Sequence, residues 1–186
     1  MEAFFTSLGL VALAEIGDKT QLLAILLSFK FRKPLPIIAG IFAATIVNHA
    51  LAAALGSVAA DFLSGRWFQI AIGVSFVAMG LWTLIPDKLD EEEKVPRYGP
   101  FVATTIAFFL VEMGDKTQVA TIALGARFHD VLLVAAGTTA GMMVANVPAV
   151  LLGNQLLQRV PMQLVHRAAA LLFLAIGAWT LWVALH

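Results

Sequence analysis

Apolar residues run through this chain in six long blocks, roughly residues 4–27, 35–60, 67–86, 100–124, 131–154 and 163–185, parted by short clusters of charge, proline and glycine. The blocks show neither the strict alternation of a half-buried strand nor the narrow apolar stripe of a soluble helix. Each approaches the twenty or so residues that a helix needs to cross a hydrocarbon core. The pattern therefore predicts an all-α polytopic membrane protein with six transmembrane helices.

The breaks have their own chemistry. The first holds Lys30, Arg32 and Lys33 and then Pro34 and Pro36, which end one helix and open a tight turn. Asp61, Ser64, Gly65 and Arg66 mark the second. The third is the longest and most polar, running from Pro86 through Asp87, Asp90, Glu91, Glu92 and Glu93 to Pro100. It divides the chain into a first three-helix repeat (1–86), a charged linker (87–99) and a second three-helix repeat (100–186).

Composition agrees with a membrane class: 60% of the residues are hydrophobic and only 13% are charged, against about 25% charged in soluble domains. Formal net charge is zero and the basic residues form no stripe, which gives a nucleic-acid partner almost no support. Cysteine is absent, so there are no disulfides and no thiolate ligands. The first apolar block lacks a basic preamble and a small-residue cleavage site, and reads as a retained helix rather than a signal peptide.

A second regularity is an internal repeat. Glu15-Ile16-Gly17-Asp18-Lys19-Thr20-Gln21 returns as Glu112-Met113-Gly114-Asp115-Lys116-Thr117-Gln118, identical except at Ile16/Met113. The same offset of 97 positions aligns Gly40 with Gly137, Phe76 with Phe173, and Trp82-Thr83 with Trp179-Thr180, with no insertion. Three helices per half is an odd number, so the second half must enter the membrane from the opposite side. Such inverted repeats are a transporter architecture, with the substrate site near mid-membrane where the repeats meet.

The repeated motif puts ionisable residues inside apolar blocks, where a charge costs several kcal/mol and marks an ion or proton path by default. On a helix Glu15 and Asp18 share a side, as do Glu112 and Asp115, and Gln21 and Gln118 extend that face. Opposed halves would surround one volume with four carboxylates, and the amides could supply further oxygens. This donor set suits a hard or borderline divalent cation. With Lys19 and Lys116 included the motifs sum to −2, the charge one such cation neutralises. Carboxylates crowded in a low dielectric should take up protons when the metal leaves, because like charge and desolvation both disfavour ionisation. Proton-coupled antiport follows as an expectation; internal salt bridges serving assembly alone are the competing one.

Gly17 and Gly114 read as geometric residues that permit a local departure from helix, or as close-packing positions. Gly137 and Gly141 form a GxxxG packing pattern. In the blocks between, Asn48 and Asn146 could coordinate metal, bond the motif carboxylates or simply link helices. His49 is either a proton handler or a packing residue. Pro148 is placed to bend the fifth block.

Lysine and arginine set an orientation. With the motif lysines set aside, Lys30, Arg32, Lys33, Lys88, Lys94, Arg97, Arg159 and Arg167 fall on one side and Arg66 and Arg127 on the other. That bias places the first side, with the 87–99 loop, in the cytoplasm and both termini outside. Trp67, Trp82, Trp179 and Trp182 lie near block ends, as interfacial anchors do.

The duplicated Glu-x-Gly-Asp-Lys-Thr, one copy in the first block of each half, resembles the signature of the GDT1/TMEM165 family, formerly the uncharacterised membrane family UPF0016. The resemblance spans essentially the whole chain. It implies transport of Mn²⁺ or Ca²⁺ against protons, with small bacterial members resembling manganese exporters in a bacterial inner membrane. It also implies functional roles for Glu15, Gly17, Asp18, Lys19 and Thr20 and for Glu112, Gly114, Asp115, Lys116 and Thr117. The expected partners are lipid, a divalent cation and protons; no cofactor is implied, and a homo-oligomer has no support in the sequence. Competing readings are a Ca²⁺/H⁺ exchanger, a non-transporting membrane scaffold, and an intramembrane metalloenzyme, the last without a recognisable motif such as HExxH.

Overall fold

The structure is a computed structural model and describes residues 1–63, 65–85, 98–153 and 162–186, without the side chain of Met162. The acidic run Asp90–Glu93, Lys88, Lys94, Arg97 and Arg159 lie outside the described residues, as does nearly all of the expected linker. Every described element is helical. α1 (Glu2–Glu15), α2 (Lys19–Phe31), α3 (Pro34–Phe62) and α4 (Arg66–Thr83) belong to the first half. α5 (Pro100–Glu112), α6 (Lys116–Phe128), α7 (Val131–Leu152) and α8 (Met162–Leu185) belong to the second.

The expectation of six spanning helices needs correction. Only α3, α7 and residues Gln163–Leu185 of α8 are, among described residues, individually long and apolar enough to cross a membrane. The first and fourth apolar blocks are each broken in two at the repeated motif, leaving helices of 14, 13, 13 and 13 residues. At 1.5 Å per residue each reaches roughly 20 Å, well short of a core of about 30 Å. α4 has 18 residues, but Arg66 and Gln69 stand in its first turn.

Backbone geometry repeats with the sequence. Gly17 has φ 86° and Gly114 φ 78°, in the region that favours glycine. Asp18 (φ −79°, ψ 167°) and Asp115 (φ −78°, ψ 166°) are extended and start α2 and α6. The other end of these helices matches too: Arg32 and His129 adopt left-handed conformations at φ 53° and 52°, closing on the carbonyls of Ser28 and Gly125. Pro34 then opens α3, needing no amide hydrogen at a first helical position. Asp130 caps α7 through Leu133 N–H at 3.0 Å.

The halves interlock. α1 and α2 pack on α7, while their counterparts α5 and α6 pack on α3; α3 meets α7 and α4 meets α8. Exchanging the halves maps this set of contacts onto itself, an inverted-repeat-like arrangement. Small residues permit it: a Cβ on Gly137 would lie 2.4 Å from the Phe4 carbonyl oxygen, and one on Gly40 would lie 2.8 Å from that of Phe101, the repeat equivalents. Gly141 likewise meets the backbone at Leu8, so the GxxxG pair packs against α1. The exchange is not complete, since α4 also leans on α6 and α8 on α1, without comparably extensive counterparts.

Apolar side chains such as Leu10, Leu23, Ile41, Phe76, Phe108 and Phe173 fill the interior. Large apolar side chains also cover the outside, among them Phe42, Leu51, Leu55, Leu132, Leu171 and all four tryptophans. An exterior this apolar around a buried polar centre belongs to a protein solvated by lipid.

Candidate functional site

The two breaks meet at the centre of the molecule. Glu15 and Glu112 are the last residues of α1 and α5, and Asp18 and Asp115 immediately precede α2 and α6. Each break is a tight turn, with Asp18 N–H donating to the Glu15 carbonyl and Asp115 N–H to that of Glu112, both at 3.1 Å. The C-termini of α1 and α5 thus bring negative dipole ends to the centre and the N-termini of α2 and α6 positive ones, so that a cation and the aspartate carboxylates each have a favourable end beside them. An aspartate preceding a helix ordinarily caps it. Neither Asp18 nor Asp115 makes that side-chain bond, and their carboxylates turn into the centre.

One carboxylate oxygen from each of Glu15, Asp18 and Asp115 lies within 4.8 Å of the others, and all three residues are buried. Lys19 reaches across to Asp115, Nζ to Oδ1 at 3.3 Å. Thr20 donates its hydroxyl to Glu15 Oε2, and Asn146 Nδ2 stands 3.5 Å from the same oxygen. Thr117 makes a longer contact, 3.4 Å, with Asp115 Oδ2.

Glu112 is placed differently from the trio. His49 Nε2 lies 2.5 Å from its Oε1 without making a hydrogen bond to it, and both side chains are fully buried. Positions 49 and 146 are equivalent under the repeat, so each glutamate faces the third helix of the other half, Glu112 through the histidine of α3 and Glu15 through the asparagine of α7.

The two motif glutamines share one arrangement. Gly17 N–H donates to Gln21 Oε1 at 2.9 Å and Gly114 N–H to Gln118 Oε1 at 2.6 Å. Gln21 Nε2 donates to the Ala145 carbonyl at 3.0 Å, whereas Gln118 Nε2 donates to Asn48 Oδ1. Lys116, 4% exposed, donates to the Ile85 carbonyl at 3.1 Å and stands 5.8 Å from the Trp82 ring centroid. Pro148 continues α7 two residues beyond Asn146.

Glu15 Oε1, Glu112 Oε2, Asn48 Nδ2 and Asn146 Oδ1 are buried without a hydrogen-bond partner in the protein. An unsatisfied buried polar group costs about 1–3 kcal/mol, so the centre is built to face a polar guest. Oxygen donors dominate it, and carboxylates crowded beside ammonium groups can exchange a divalent cation for protons.

Sequence reasoning named most of these side chains but not the Ala145 and Ile85 carbonyls or Trp82 beside Lys116. A carbonyl leaves no trace in residue identity. The only available signal was the repeat itself, which aligns Ala145 with Asn48 and Trp82 with Trp179.

Residues 3–91 and 100–186 match the family described as Divalent cation/proton antiporter GDT1. A Vibrio cholerae protein named "Putative manganese exporter" is 54% identical over 181 residues, covering 97% of this chain and 90% of that protein. GDT1-like protein 5 of Arabidopsis thaliana is 28% identical over 221 residues, covering 97% and 96%. GDT1-like protein 4 of Oryza sativa subsp. indica is 28% identical over 200 residues, covering 93% and 70%. No solved structure matches the chain. With a duplicated acidic motif, an interlocked pair of halves and a match over nearly its full length, the chain belongs to the GDT1 family of divalent cation/proton antiporters, which are transporters and not enzymes.

Proposed function

We propose that this secondary transporter carries Mn²⁺ out of the cytoplasm in exchange for protons, through the centre formed by Glu15, Asp18, Glu112 and Asp115. The observation that carries the reading is the approach of three buried carboxylates from two different halves at the polar centre of a protein whose exterior is apolar. Such a group is expensive unless a cation and protons alternate on it. Lys19 and Lys116 balance charge, Thr20 and Thr117 orient carboxylates, and Asn48, His49 and Asn146 complete the ring; Gly17 and Gly114 make the turns. Manganese is the choice because of the 54% identical relative's name.

The halves 1–86 and 100–186 act as inverted repeats that cross the membrane six times, α1 with α2 and α5 with α6 each serving as one broken span. Loop 87–99 is cytoplasmic and the termini are outside in this arrangement. The one-sided packing of α4 on α6 and α8 on α1 supports two conformations exchanged between the halves.

Ca²⁺ is the second reading, and a specific observation favours it. The grouped donors of Glu15, Asp18 and Asp115 are all oxygen, while the imidazole of His49 faces Glu112. Calcium accepts such a set readily. Proteoliposomes containing only this protein would be loaded with ⁵⁴Mn²⁺ or ⁴⁵Ca²⁺ and given a proton gradient. Gradient-driven manganese flux is expected; preferential calcium flux would promote the second reading, and flux indifferent to the gradient would overturn antiport.

A further inference from the structure

Resting on the transport reading, we infer that Gln21 and Gln118 are positioning residues, not ligands, and that they tie the two motif turns to the opposite halves with unequal stiffness. Each carboxamide oxygen accepts from the glycine N–H of its own turn, at 2.9 and 2.6 Å. That leaves each NH₂ to reach the third helix of the other half, α7 for Gln21 and α3 for Gln118. Here the repeat equivalents diverge, because position 48 is asparagine and position 145 is alanine. Gln21 ends on the peptide carbonyl of Ala145 at 3.0 Å, and Gln118 ends on the side-chain oxygen of Asn48.

A peptide carbonyl inside α7 is held by the helix ladder, whereas the oxygen of the buried Asn48 side chain is held only by that side chain's own torsions and packing. The tie on Glu15 and Asp18 is therefore rigid, and the tie on Glu112 and Asp115 can yield without disturbing α3. Local exposure follows the same division: Met113 is 56% exposed and Gly114 is exposed, while Ile16 and Gly17 are partly covered. The second turn is the one that shifts when the cation is bound or released, with Gln118 setting where its carboxylates return.

The test is a double-mutant cycle on Mn²⁺ flux in proteoliposomes, reading half-saturating Mn²⁺ and maximal flux separately, with thermal unfolding of the same samples. Gln118→Met and Asn48→Leu remove the two ends of one tie. Each should raise half-saturating Mn²⁺ about tenfold, and the double variant should be no worse than Gln118→Met alone. Gln21→Met combined with Asn48→Leu should instead be additive, since those residues serve different ties. Additive effects for Gln118 and Asn48, or a lowered melting temperature with half-saturation unchanged, would overturn the inference. Should Gln118→Met not insert, Asn48→Leu alone carries the test: unchanged half-saturating Mn²⁺ in it would count against the tie. Wild-type vesicles separate the two levels, because absent cation flux there defeats the transport reading, whereas uncoupled variants over a working wild type defeat only this one.

Discussion

Lys19 of the first motif pairs with Asp115 of the second, its ammonium 3.3 Å from a carboxylate oxygen that is almost completely buried. The lysine is thus a resident cation beside the candidate metal donors, and it competes with any divalent ion for the same charge. Removing it should make the carboxylates hold both metal and protons more firmly. Lys19→Gln is expected to lower half-saturating Mn²⁺ by at least about threefold and to slow maximal flux, because release becomes harder. Weaker apparent binding in the variant would mean that Lys19 assembles the site instead of competing with its cargo.

Charge removal at the aspartates separates transport from scaffolding. Asp18→Asn and Asp115→Asn each delete a donor of the buried trio while keeping size and shape. Both should lose transport by more than about a hundredfold, with insertion and monodispersity retained. Near-normal flux in a well-behaved mutant would return these carboxylates to a salt-bridge role.

The pH dependence follows from competition at the same oxygens. As pH falls, protons occupy carboxylates that metal must find ionised, so apparent Mn²⁺ affinity should weaken on the acid side and recover on the basic side. Half-saturating Mn²⁺ measured in roughly unit steps from about pH 4 to about pH 8, a span that takes in the ordinary carboxylate and imidazole values, would reveal the trend. A flat profile would separate proton movement from this site. Repeating the series with His49→Ala asks whether the Glu112 pair contributes to it.

Two glycines should fail for different reasons. A methyl group at Gly114 would touch nothing within 4 Å, so Gly114→Ala is penalised by its φ of 78° alone, by about 1–2 kcal/mol, with Gly114→Asn milder. Gly137→Ala keeps an ordinary helical backbone but drives its methyl to 2.4 Å from the Phe4 carbonyl, costing about 1–3 kcal/mol through forced separation of α1 and α7. Unfolding of both in detergent, with asparagine at 114 and serine at 137 as controls, should show rescue only at 114.

Orientation can be tested directly, since the chain contains no cysteine to remove. Single cysteines at Lys33 and Lys94 should react with impermeant reagents from the same side. Labelling from opposite sides would refute the inverted topology.

The sequence by itself determined the all-helical membrane class, the duplicated motif with its offset of 97, and the chemical character of the centre. Those features are written in residue identity and spacing: apolar length, charge placed where lipid excludes it, and glycine where a turn must have positive φ. Tertiary structure decided how the blocks are used. Whether Gly17 bends a helix or breaks it depends on whether the freed ends of α1 and α2 find partners on α7, which Asn146 and the Ala145 carbonyl supply, and α1 lies close enough to α7 because Gly137 and Gly141 admit its backbone. The division of the four carboxylates into a trio and a His49-paired Glu112 was likewise invisible, because helical periodicity places donors on a face but says nothing about the register between faces. That register is set where Gly40 and Gly137 let backbones touch, and small differences at equivalent positions, His49 against Asn146 and Asn48 against Ala145, then turn a repeated sequence into an asymmetric site.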